Sequence, residues 1–194
     1  AQRQAFGKPL IQQPLMRNVL ADLALESEAA TALAIRLARA FDRADDPFEA
    51  LIARVLTPVA KFWICKRGSP FAQEAMECLG GNGYVEEGGE GVMARIYREM
   101  PLNSIWEGAG NVMCLDVLRA LRKAPDVIAA LAAELDVATG RLRAYDAFCA
   151  SLKDRLQDAA EHESSARRLT QDLALALQAS LLARHAPEFV FEAF

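Results

Sequence analysis

An all-α fold is predicted for this 194-residue chain: an antiparallel four-helix bundle with additional C-terminal helices. Three observations predict it. Ala and Leu dominate while β-branched residues are sparse, a composition that favours helix. Apolar residues recur at three- and four-residue steps over long stretches. Pro and Gly fall mostly in clusters that punctuate those stretches.

The first helix is expected after Pro14 and runs to about Arg43. Met16, Val19, Leu20, Leu23, Leu33 and Leu37 give its apolar face, and Arg36, Arg39 and Arg43 lie near its C-terminal end, where cations suit the helix dipole. Asp45-Asp46-Pro47 then reads as a restart, an acidic cap followed by proline at the first helical position. The second helix carries Leu51, Val55, Val59 and Phe62, with a kink expected at Pro58 and a stronger break at Gly68-Ser69-Pro70. Ser69 then caps a short helix through Leu79, which Gly80-Gly81-Asn82-Gly83 ends. A Glu- and Gly-rich stretch leads to a short helix over about 91–100, closed by Pro101. The compact turn Asn103 to Gly108 opens the next helix, roughly Asn111 to Lys123.

Ala124-Pro125-Asp126 marks a boundary, so residues 1–123 are expected to form the bundle and 124–194 a helical extension packed on it. Three segments are expected in that extension, about 126–139, 142–161 and 165–184. Leu169, Leu173, Leu177 and Leu181 form a packing stripe on the last of them. The tail from Phe189 to Phe194 is apolar enough to dock on the bundle.

A formal charge of −4 offers no global attraction for nucleic acid or an anionic membrane. Cys65, Cys78, Cys114 and Cys149 are widely spaced with no C-x-x-C, and His162 and His185 stand far from them. Buried free thiols in a reducing compartment are expected, and no metal site. With no signal-peptide pattern and no apolar run of spanning length, a cytoplasmic protein is expected. The chain opens on Ala1 rather than methionine and reads there as the middle of a longer protein.

Three short stretches depart from ordinary bundle sequence. In Arg3 to Leu10, a guanidinium beside Phe6 and Gly7 suits a phosphate next to a flat ring, or else Phe6 simply packs as a staple in an extended lead-in. Between Leu79 and Tyr84 three glycines stand in four residues; either they end the helix, which explains one and at most two of them, or they let backbone approach a ligand. In Ile105 to Asn111, Glu107 beside Trp106 is either a general base in a dry pocket or an acid favoured by the helix dipole at an N-terminus.

In this order and on a helical background, the three stretches resemble the C-terminal helical domain of the acyl-CoA dehydrogenase family. The stretches Pro58 to Gly68 and Asn103 to Arg119 are similar to its alkylation-response branch, whose members carry an extra helical region where 124–194 stands. The resemblance implies FAD as cofactor, an acyl-CoA thioester as substrate, and a homodimer or homotetramer completed by N-terminal and middle domains that these residues do not include. It implies Glu107 as the catalytic base that removes the α-proton while the β-hydride passes to the flavin, with Trp106 and Gly108 at the substrate pocket. Arg3 and Phe6 match positions that meet the dinucleotide of the neighbouring subunit, and Glu77, Gly80 and Gly81 match a helix-end segment that also meets it. Ala109 and Asn111 match positions near the flavin. Glu77 replaces a common glutamine, and Ala109 a residue usually carrying a hydroxyl. The chain alone is therefore expected to fold, to bind no FAD and to be inactive.

Two other functions compete. The alkylation-response branch is associated with DNA, and Arg119, Arg122, Lys123, Arg141, Arg143, Arg167 and Arg168 would supply a basic face. Yet Asp136, Asp146, Asp154, Asp158, Glu161 and Glu163 interleave with them, which favours a mixed-charge solvated surface. The other alternative is a helical oligomerisation module.

Overall fold

In the computed structural model, residues 3–86, 92–158 and 163–194 are described. The chain opens with a two-stranded hairpin, β1 (Gln4–Ala5) and β2 (Lys8–Pro9), in which Gln4 pairs with Pro9 and Ala5 with Lys8. Phe6 and Gly7 form its two-residue loop with φ of 51° and 78°, the left-handed backbone that matches the twist of a tight hairpin. This segment is therefore not the extended lead-in considered above, because the backbone folds back on itself.

Helix α1 runs over Pro14–Asp42 and buries Ala29, Leu33, Arg36 and Ala40, a stripe at four-, three- and four-residue steps. Helix α2, Pro47–Glu77, starts as expected: Pro47 is in the first turn and the Asp46 carboxylate accepts from the Phe48 amide at 2.9 Å. The break expected at Gly68-Ser69-Pro70 does not occur, and Ser69 caps nothing; α2 is one continuous helix through Pro58 and Pro70. An interior proline costs about 3 kcal/mol, and here the cost is offset by burial, since α2 packs against α1, α4, α5, α6 and α8. Gly68 is a contact point instead: a Cβ there would lie 2.8 Å from the Met100 sulfur of α4.

Gly80, with φ 61° and ψ −149°, leads into the single turn α3 (Gly81–Tyr84). Helix α4 spans Val92–Asn103 and continues past Pro101, where closure was expected. Near the end of a helix a proline carbonyl still accepts, here from the Ser104 amide at 3.2 Å. Helix α5 is Gly110–Lys123 and buries Cys114, Val117, Leu118 and Leu121. The Glu- and Gly-rich stretch over 87–91 and the expected end of the later helix at 161 lie outside the described residues.

Helices α6 (Asp126–Asp136), α7 (Arg143–Asp158), α8 (Ala166–His185) and α9 (Glu188–Ala193) follow. The stripe Leu169, Leu173, Leu177 and Leu181 is buried. Helix α8 also buries Thr170, Asp172, Gln178 and Ser180, because it is flanked by α1, α2, α5, α6, α7 and α9. One core runs from Ala29 to Phe191 across both halves of the chain. The tail docks through Val190 and Phe191, whose ring meets Tyr145 edge-on at 6.1 Å. The result is an all-α protein, a helical bundle with additional C-terminal helices, in which α2 positions the residues described next.

Candidate functional site

At the end of α2, three glycines are used in three ways. Gly80 adopts positive φ, and a Cβ on Gly83 would run into the Met76 carbonyl oxygen. Gly81 meets neither demand: its φ is ordinary and nothing lies within 4 Å of where its Cβ would stand. Its backbone is exposed, and its carbonyl accepts from the Val85 amide at 3.3 Å. The Arg3 guanidinium reaches this bend and donates to the Leu79 carbonyl, and its remaining donors stay beside Gly80. Thus Arg3, Gly80 and Gly81, far apart in sequence, come together. Glu77 is exposed and accepts from Gln73 at 3.2 Å. Phe6 packs on nothing: at the hairpin tip it is 97% exposed.

The second group of candidates is Trp106, Glu107, Gly108, Ala109 and Asn111, between α4 and α5. Glu107 has φ 55° and Gly108 φ 117°. For a residue with a side chain, left-handed backbone costs on the order of 1–3 kcal/mol and persists only where its surroundings hold it. The holding group is Lys61 of α2, whose ammonium donates to the Trp106 carbonyl at 2.8 Å and to the Gly108 carbonyl at 2.6 Å. Phe62, the next residue, lies 3.5 Å from where a Gly110 Cβ would be, so the turn rests on α2. Ala109 occupies the N-cap of α5 without a side-chain cap, as its missing hydroxyl requires. Asn111 accepts from Arg167 of α8 at 2.8 Å, and the same guanidinium sits 5.5 Å over the Phe62 ring. Sequence reading missed Lys61 and Phe62, and it placed Arg167 only on a basic face; a lysine mid-helix carries no local signal for a turn 45 residues away.

The dry pocket around Glu107 expected from the neighbouring tryptophan is not formed by this chain. Glu107 is exposed and Trp106 is 54% exposed. Nor is Glu107 within reach of the glycine bend. Lys61 grips the turn, whereas the bend follows Glu77, sixteen residues and roughly 24 Å further along the same helix. The two groups of residues face two separate places.

A groove lies on another side of α2, between α1 and α8, lined by Glu26, Trp63, Arg67, Phe71, Gln178 and Phe194. Trp63 stands about 200° around the helix from Lys61, so this groove opens away from Glu107. Arg67 closes it with paired bonds to Glu26 at 2.7 and 2.9 Å and lies 5.9 Å over the Trp63 ring. Among the basic residues of the expected nucleic-acid face, Arg119 pairs with Asp116 and Arg168 with the buried Asp172. Among the described residues, no cluster of three metal-ligating side chains occurs, and no helix is long and apolar enough to cross a membrane.

Residues 1–122 match the family model "Acyl-CoA dehydrogenase, C-terminal domain". The chain is 53% identical over 174 residues to the putative acyl-CoA dehydrogenase AidB of Escherichia coli K12, covering 90% of this chain and 31% of that protein. It is 28% identical over 161 residues to acyl-CoA dehydrogenase family member 11 of Caenorhabditis elegans, covering 81% of this chain and 26% of the relative. Among solved structures, Caenorhabditis elegans ACDH-11 in complex with C11-CoA shares the fold with a TM-score of 0.87 at 24% identity, over 98% of this chain and 36% of that one. The apo form of Bd2924 superposes with a TM-score of 0.81 at 29% identity, over 93% and 35%. The chain thus spans about a third of the length of the relatives it matches.

Proposed function

Because the chain belongs to the acyl-CoA dehydrogenase family, we propose that it serves as the C-terminal helical part of a FAD-dependent flavoprotein that dehydrogenates an acyl-CoA thioester between Cα and Cβ. Its likeness to AidB sets it beside the alkylation-response branch. In this reading residues 1–123 are the bundle and 124–194 an extension that folds onto it.

The observation that carries the reading is Glu107, the non-glycine residue held at positive φ in the turn that Lys61 grips. Left-handed backbone held at a non-glycine residue points to function, and the Glu107 side chain is exposed there. There Glu107 takes the α-proton of the thioester onto a carboxylate oxygen. Trp106 contributes one apolar wall, and the other walls, which exclude water from the reacting atoms, come from outside these residues. The bound flavin supplies the hydride acceptor. The fit of the residues to a flavin dinucleotide rests on chemistry: Ala109 and Asn111 flank the base, while Arg3, the exposed backbone of Gly81 and the ring of Phe6 offer a cation, amides and a stacking face. In this reading Arg3 and Phe6 meet the dinucleotide of a second subunit and the Glu107 turn meets the chain's own, as the family resemblance implies.

The test is Glu107→Gln in the full-length flavin-loaded protein. Turnover of an acyl-CoA is expected to fall by about 10²–10⁴-fold with the flavin spectrum intact. Unchanged turnover removes Glu107 as the base. The 194-residue chain alone is expected to be colourless, and a stoichiometric flavin spectrum from it contradicts the two-copy arrangement.

A further inference from the structure

We infer that Lys61 is the positioning residue that sets the aim of Glu107. The inference rests on the reading of Glu107 as the base and goes beyond it by naming what holds that base. A lysine ammonium has three donors and a compact charge, and two of those donors are spent on carbonyls that bracket the turn. The Trp106 carbonyl belongs to the peptide entering Glu107, and the Gly108 carbonyl to the peptide leaving Gly108. Between these two fixed planes lie the two left-handed residues, at φ 55° and 117°. One cation therefore constrains the backbone on both sides of the carboxylate.

The anchor itself is rigid. Lys61 sits mid-way along the continuous α2, between the buried Ala60 and Phe62. Phe62 carries the turn at Gly110, and the Met113 side chain of α5 packs against Gly108. The Ile105 and Trp106 amides bond the Leu102 carbonyl at the start of the turn, and these bonds break when the turn opens, so their exchange reports that opening. Lys61 reaches past them. It is a positioning residue, since it touches the backbone around the base and not the reacting atoms.

Amide hydrogen exchange on the 194-residue chain tests this with Lys61→Met and Lys61→Arg. In K61M the Ile105 and Trp106 amides are expected to exchange about tenfold faster, with α2 and the body of α5 within about twofold of the wild type. K61R is expected to restore part of the protection, because a guanidinium on a three-methylene stem still carries several donors for the two carbonyls. Equal protection in K61M and wild type overturns the inference, and so does loosening spread through α2 and α5, which marks a packing role. Should K61M fail to fold, Lys61→Leu, which likewise removes the ammonium, gives the same comparison. In the flavin-loaded full-length protein K61M is expected to lower kcat on the order of 10²-fold with KM within about threefold; a change confined to KM also overturns it. Glu107→Gln separates this from the base assignment, since its exchange is expected to match the wild type. If E107Q keeps its turnover while K61M loosens the turn, the base reading falls and the clamp stands. If E107Q is inactive and K61M exchanges like the wild type, the clamp falls and the base stands.

Discussion

Gly80, Gly81 and Gly83 look alike in the sequence and have different physical reasons to be glycine. Gly83 is there because the Met76 carbonyl occupies the place of a side chain. Gly83→Ala is accordingly expected to lower stability by about 1–3 kcal/mol, read as a shift in the urea midpoint. Gly81 faces open space with ordinary backbone, so Gly81→Ala is expected to leave that midpoint within about 0.5 kcal/mol of the wild type. In the full-length protein the same change is expected to weaken FAD affinity, measured by flavin fluorescence; unchanged affinity detaches Gly81 from the cofactor. The sequence already indicated that a helix cap accounts for at most two of the three. Which two was decided by contacts with Arg3 and Met76, and no local pattern carries those.

At the scale of elements, four helices are tied together by a buried charge network. Arg36 of α1 donates to Glu49 of α2 at 2.6 Å and to both carboxylate oxygens of Glu134 of α6 at 2.9 Å, and Arg184 of α8 donates to Glu134 at 2.7 Å. Arg36→Met leaves two buried carboxylates short of a partner and is expected to cost about 3–5 kcal/mol, measured by denaturant unfolding. Burial alone pushes the Glu134 carboxyl up, but hydrogen bonds and charge from Arg36 and Arg184 outweigh it and hold the group below its ordinary value of 4.5. A depressed folded pKa contributes stability above the unfolded value and loses it as pH falls through the folded one. The urea midpoint is therefore expected to drop below about pH 4.5, and to drop less steeply in Glu134→Gln. Helix existence was legible from period and caps, as Asp46-Pro47 illustrates. Helix continuity was not: Gly68 and Pro70 are local breakers, overruled by burial of α2 against helices from both halves of the chain.

For the whole molecule, the surface that the isolated chain shows to water includes the large apolar side chains of Phe6, Leu15, Ile35, Trp106 and Phe189. Exposed apolar groups at the hairpin, at the Glu107 turn and along α1 suit a chain that is completed by other polypeptide. Light scattering of the 194-residue chain is expected to give a dimer, twice 21.2 kDa; a monomer at all concentrations places the subunit contact outside these residues. In the second half Lys153 pairs with Asp136 at the surface, and Arg155 with the buried Asp172.

From the sequence alone came the helical class, most helix starts, the buried leucine stripe of α8 and three ordered motifs that identify the family, because each is written in short-range spacing. Only the tertiary structure decided that α2 runs unbroken, that Glu107 stands open on this chain, that Arg3 meets the glycine bend, and that Lys61 and Arg167 hold the segment around Glu107. Those outcomes depend on which surfaces meet across 45 to 76 residues, and the free energy of such contacts is set by burial and by partners, neither of which a local stretch of chain contains.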